Sequence, residues 1–138
     1  MSNNSVKIEV GFRGTITGLT RSMNHQRATI TMKNDAGRTL ASTTLVGNGE
    51  NVPMTQEVNE TMRAWSFGPF KDSMTVSIQV EHSQTGESFS PSKAILPVTV
   101  RKEPDASYPQ TYVVSTLLSE DSNDNDYNDC IISIFQYK

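Results

Sequence analysis

The sequence predicts an all-β fold, one antiparallel β-sandwich domain over residues 1–138. Three observations carry that expectation. Apolar and polar residues alternate strictly from Met74 to Val80, the signature of a strand with one buried face. Further strand-like runs recur at intervals of roughly 8–12 residues, separated by Gly, Pro, Asn and Asp, as in sandwiches. Only Thr55 to Ala64 looks at all helical, and its polar residues suit an exposed strand or loop equally well, so no helix is assigned there.

Taken in order, Val6, Ile8, Val10 and Phe12 alternate with Lys7, Glu9 and Gly11 and read as a first strand. Ala28, Ile30 and Met32 repeat the pattern. Asn34-Asp35-Ala36-Gly37 then supplies residues that tolerate left-handed backbone before a β-like run from Thr39 to Val46, so a hairpin is expected. Polar residues around Gly86 end the Met74–Val80 strand. Ile95 to Val100 and Tyr112 to Leu118 read as further strands. Ile131 to Tyr137 is β-branched and aromatic with apolar residues in both phases, which predicts a buried terminal strand.

At 138 residues and 15.3 kDa the chain has room for one core. A mean hydropathy of −0.46 excludes an apolar span long enough to insert in a membrane. The opening Met-Ser-Asn-Asn-Ser lacks a basic start and apolar run, so the expectation is cytoplasmic synthesis without a signal peptide, with any release or surface display by a non-classical route. Cys130 is the single cysteine, which excludes an internal disulfide and a cysteine-built zinc site. Five of fifteen acids, Glu120, Asp121, Asp124, Asp126 and Asp129, fall within ten residues; the remaining ten stand against twelve Lys and Arg. The acidity is therefore local, and no basic patch supports nucleic-acid binding.

Those five acids lie between two apolar strands whose pairing would hold the loop ends together. Confined within about 10–15 Å, each close pair of carboxylates costs on the order of 1–4 kcal/mol at an effective dielectric near 20. No basic residue lies inside the loop, whereas Asn123, Asn125 and Asn128 add neutral oxygens. Carboxylates mixed with carbonyl oxygens suit Ca2+, which takes about 6–8 oxygen ligands in flexible geometry. Two Ca2+ per chain bring four positive charges against five negative ones and nearly balance the loop. The EF-hand register fails, because counting from Asp124 puts Asp129 where glycine is needed and Phe135 where a bidentate glutamate is needed. The bland alternative is a solvated Asx-rich turn.

Ser119-Glu120-Asp121-x-x-Asp124-x-Asp126-Tyr127-Asn128-Asp129, followed by an apolar strand, closely resembles the calcium loop of the two-calcium bacterial lectins that bind fucose and mannose. The strong resemblance covers about the last twenty residues. It implies a small β-sandwich in which paired calcium ions coordinate vicinal hydroxyls of one sugar ring. Carried onto matching positions, it implies Glu120, Asp124, Asp126, Asn128 and Asp129 as metal ligands, with Asp126 and Asp129 bridging and Asp124, Asp126 and Asp129 also lining the sugar. Asp121 would accept a hydrogen bond from a sugar hydroxyl. The family's distant asparagine ligand is best matched by Asn24, which likewise precedes a strand. His25, Gln26 and Arg27 stand where the family has small residues; they read either as an exposed polar turn or, His25 and Gln26 above all, as sugar contacts. The family's terminal carboxylate completes the partner's site across a two-fold dimer. Here that carboxylate belongs to Lys138, whose side chain would offset its charge, so ligation in trans is doubtful. A homodimer or higher homo-oligomer is expected on the resemblance and the apolar terminal strand.

The implied partners are fucose- or mannose-type glycans. The rival is a calcium-stapled structural or adhesive β-module without sugar affinity. An enzyme is not expected: His25 and His82 sit in polar turn contexts, no Gly-x-Ser-x-Gly or phosphate loop is present, and a Cys130 thiolate beside the acids would be disfavoured. Trp65 is either a core aromatic or a platform for a sugar face.

Overall fold

The structure, a computed structural model, describes residues 4–95, 97–121 and 129–138. Its strands are β1 (Ser5–Ile8), β2 (Arg13–Asn34), β3 (Thr39–Pro53), β4 (Thr55–Gln56), β5 (Trp65–Phe67), β6 (Met74–Ser83), β7 (Ser90–Pro91), β8 (Lys93–Ala94), β9 (Val98–Lys102), β10 (Tyr112–Glu120) and β11 (Cys130–Tyr137). The described residues contain no helix, and their strand ladders are antiparallel.

The expected hairpin forms between β2 and β3. Asn34 Oδ1 accepts from the N–H groups of Ala36 and Arg38 at 3.1 and 2.9 Å, and Gly37 takes φ 82°, a left-handed conformation that a side chain at this position would strain. The first strand is shorter than the alternation suggests. It ends at Ile8, and Val10 is half exposed in the turn that leads to β2. Residues 95–100 do not form one strand either: β8 ends at Ala94 and β9 begins at Val98, just after Pro97, which has no N–H for a ladder.

β2 organises the molecule. Its even-numbered residues from Gly14 to Ser22 and from Gln26 to Met32 are buried, so one face of a 22-residue strand looks inward along almost its whole length. On one edge, Arg13 to Thr20 pair with β11; on that same edge, His25 to Asn34 pair with β6. The neighbour changes between Thr20 and His25, where the β2–β3 ladder also shifts register. A strand that changes partners at an irregularity joins the two layers of a sandwich. One layer carries β11, β10, β9 and β8, the other β6 and β1, and their inward residues share one core that includes Ile8, Ile16, Ile30, Ile78, Leu117, Ile132 and Ile134. Trp65 pairs with Ile16 and packs, partly buried, against this core.

β11 is buried on one face only. Cys130, Ile132, Ile134 and Gln136 point inward, while Phe135 is 39% exposed. The apolar residues of its second phase join cross-strand rows on the outer face: Val100, Val114 and Phe135 in one, Tyr112 and Tyr137 in the next. Ring centroids of Tyr108, Tyr112, Phe135 and Tyr137 follow each other at 5.7, 6.3 and 5.5 Å. Inside, burial pushes the Cys130 thiol up to about 12, with the charges of Asp121 and Asp129 adding to the effect, so it stays a thiol that donates to Met54 Sδ at 3.6 Å.

Candidate metal centre

The seam where β2 exchanges β11 for β6 is also where β10 ends and β11 begins. Arg21 N–H donates to the Asp129 carbonyl at 2.9 Å, and Asp129 N–H donates to the Ser119 carbonyl at 3.1 Å, extending both ladders past their last regular pairs. These bonds bring Glu120, Asp121 and Asp129 together, with one carboxylate oxygen of each within 4.8 Å of the others. Glu120 is 1% exposed and Asp129 8%.

Asp121 is fixed by the inward face of β2. Its Oδ2 accepts from Ser22 Oγ at 2.6 Å, from Gln26 Nε2 at 2.8 Å and from Asn24 Nδ2 at 3.2 Å. Its own backbone N–H donates to Asp129 Oδ2 at 3.0 Å. Three donors on one carboxylate oxygen hold that side chain in one orientation, since hydrogen bonds to charged groups each contribute about 1.5–3 kcal/mol.

The group crowds negative charge at a buried seam. Burial raises the Asp129 carboxyl to about 7, and the nearby Asp121 charge and the hydrogen bond shared with Glu120 push the same way against the Asp121 N–H. Three ionised carboxylates at these separations repel by about 3–4 kcal/mol per pair at an effective dielectric near 20. A hard cation with oxygen ligands relieves both the burial and the repulsion, so the donor set fits Ca2+.

Asp124, Asp126 and Asn128, expected to ligate metal, lie outside the described residues, as does Tyr127. Asn24 meets the cluster through Asp121. Gln26 is 1% exposed and sits in a strand with its amide on Asp121, so residues 25–27 are no exposed turn. His25 lies over Gly86, whose φ of 84° and missing side chain make room for the imidazole. Arg27 is held by Glu81 at 3.1 Å and by the Phe89 ring, 3.9 Å below its guanidinium. Lys138 stands at the far end of β11, with its carbonyl oxygen accepting from Thr111 N–H at 2.9 Å; its own chain does not bring it to the carboxylates. Ser22 was missed. The signal available is that Ser22, Asn24 and Gln26 fall at alternate positions, so polar donors continue the inward phase of Ala28, Ile30 and Met32.

Beside Asn24 and Asp121 opens a polar cleft of about 360 Å3, walled by His82 and by residues of the turn that follows β6.

The fold and this cluster can be set against known proteins. No curated protein sequence matches the chain. Among solved structures, the high-affinity mannose-binding lectin of Ralstonia solanacearum is 21% identical, with 98% of this chain and 96% of that chain covered at a TM-score of 0.59. The Chromobacterium violaceum lectin CV2L, solved with α-methyl-fucoside, is 17% identical over 98% and 96% of the two chains, at 0.60. The C-terminal domain of the BC2L-C lectin of Burkholderia cenocepacia is 18% identical over 97% and 95%, at 0.57. At these identities the likeness establishes the all-β fold. The sequence model of fucose-binding lectin II covers residues 6–138, nearly the whole chain. The chain therefore belongs to the fucose-binding lectin II (PA-IIL) family.

Proposed function

We propose that this lectin binds fucose- or mannose-type glycans through two calcium ions held at the Glu120–Asp121–Asp129 cluster. The observation that carries the reading is the cluster itself: three carboxylates gathered within 4.8 Å at a buried seam, one oriented by three donors. In this reading Glu120 and Asp129 serve as metal ligands, and Asp124, Asp126, Asn128 and Asn24 complete the set. Bound calcium supplies coordination positions that a vicinal diol fills in place of two waters, and the diol's fixed geometry avoids immobilising two separate molecules. Asp121, with Oδ2 committed to Ser22, Asn24 and Gln26, offers its other oxygen to a sugar hydroxyl. Ser22 and Gln26 act through Asp121 as positioning residues. No step of catalysis is assigned to any of these groups.

Calorimetric titration of calcium into metal-free protein tests the metal count. Two ions per chain are expected; one ion, or none, contradicts the two-ion reading. The rival, a structural calcium module, predicts the same metal binding without any response to glycans.

The outer aromatic rows of β10 and β11 extend the proposal to a homodimer, since contiguous exposed apolar surface marks association sites. Light scattering is expected to give twice the chain mass of 15.3 kDa, and Phe135→Lys to give the monomer. A native chain that already runs as a monomer contradicts this.

A further inference from the structure

We infer that the open side of the sandwich, between β1 and β9, holds a small-ligand site separate from the carboxylate cluster, for a neutral polyhydroxyl compound such as a single saccharide ring. The inference needs no calcium and stands apart from the reading above. Among the described residues β1 pairs only with β6 and β9 only with β10, so each ends its layer, and a cleft of about 430 Å3 opens between them. Its floor belongs to the far end of β11. Gln136 is six residues from Cys130, about 20 Å along a strand, so the cleft and the carboxylates lie at opposite ends.

The inward face turns polar here. Arg101, Val113 and Gln136 share one cross-strand row, and Thr99 and Ser115 share the next. Ser115 and Gln136 are each 1% exposed, so both belong to the phase that elsewhere carries Leu117, Ile132 and Ile134. Polar residues interrupt the inward phase of β2 in the same way where donors to Asp121 begin.

Gln136 supplies an acceptor. Its Nε2 donates to the Lys7 carbonyl at 3.1 Å, which ties β11 to β1, while its Oε1 has no partner among the described residues. A buried acceptor without a donor is costly, which favours a ligand that brings an O–H group. Arg101 stands at the mouth, ion-paired with Glu9 and Glu103. Its guanidinium already holds two carboxylates, so an anionic ligand has to displace one of them, whereas a hydroxyl needs only a remaining N–H. Lys7 and Arg101 in the lining also disfavour a cation. Val6, Pro97 and Val113 add apolar wall for the C–H groups that alternate with hydroxyls on a sugar ring. The wall is braced in advance, with Thr99 Oγ1 2.8 Å from Ser115 Oγ, so a ligand orders little on entry.

The test is a 15N–1H correlation titration of the calcium-saturated full chain with methyl α-mannoside and methyl α-glucoside. At least one glycoside is expected to shift the Gln136 side-chain NH2 and the Thr99 backbone N–H saturably, with a dissociation constant in the millimolar range. Thr99→Trp fills the cleft from an exposed position on an edge strand. It is expected to abolish the Gln136 shifts while leaving any shifts at Asn24 and Asp121 as in the native chain. Gln136→Leu, read at Thr99 N–H, is expected to weaken binding about three- to tenfold, the loss of one hydrogen bond; should that variant not fold, Thr99→Trp decides alone. No saturable shift at Gln136 or Thr99 up to about 100 mM glycoside overturns the site, since water alone then fills the cleft. Shifts that survive Thr99→Trp, or an unchanged affinity in folded Gln136→Leu, overturn it equally. Failure of the lectin reading registers elsewhere, as silence at Asn24 and Asp121, so the two failures are told apart by position.

Discussion

Asp129→Asn is expected to abolish measurable sugar binding at millimolar ligand and to weaken calcium binding by more than about 100-fold. The substitution keeps the size of the side chain and an oxygen able to accept from Asp121 N–H, which now lies 3.0 Å from Oδ2. What it removes is one negative charge from a group of three, two of them buried. Loss of a partner that merely orients a ligand costs about 10–100-fold in metal affinity, so loss of a ligand's own charge should exceed that range. In the absence of metal the sign reverses. Burial raises the Asp129 carboxyl to about 7, so the ionised form is the disfavoured one, and a neutral amide removes that penalty. Metal-free Asp129→Asn is therefore expected to melt no lower than metal-free native protein at pH 8, although it has lost function. A variant that binds calcium and methyl α-fucoside normally contradicts the role assigned to Asp129.

Calcium removal is the second large effect. A ligand that binds only the folded state adds about 4.1 kcal/mol of stability at a concentration 1,000 times its dissociation constant. For a domain of this size, about 1 kcal/mol shifts the melting temperature by roughly 3–5 °C, so EDTA is expected to lower it by about 12–20 °C for one such ion and further for two. The loss should be restored by calcium and only weakly by magnesium, which demands a stricter octahedron. Differential scanning calorimetry checks this. Unfolding that is indifferent to EDTA would show that the carboxylates are balanced by something other than a metal.

Much of this was legible in the residues because burial leaves a phase. The Met74–Val80 alternation marks β6, and Asn34 to Gly37 mark the hairpin turn, since each is a local property of the chain. β2 was visible only over Ala28 to Met32. Between Thr20 and Gln26 its inward face turns from apolar to polar, and a search for apolar alternation stops there. That interruption is where the site lies: the sandwich core ends and donors to Asp121 begin. Gln26 shows the limit most sharply, as a polar residue almost fully buried for a partner 95 positions away. β11 erred in the other direction. Apolar residues in both phases suggested burial on both faces, but its outer phase lies in surface aromatic rows with β10. The acids themselves were conspicuous, and the seam that gathers three of them was not, because it depends on which strand β2 pairs with at each end.

The most direct test is to titrate methyl α-fucoside and methyl α-mannoside into the same preparation twice, once saturated with calcium and once stripped with EDTA. Saturable heat from at least one glycoside in the first titration, and none from either in the second, is the predicted result. Binding that persists without the metal, or a calcium-loaded protein silent to both sugars, would contradict it.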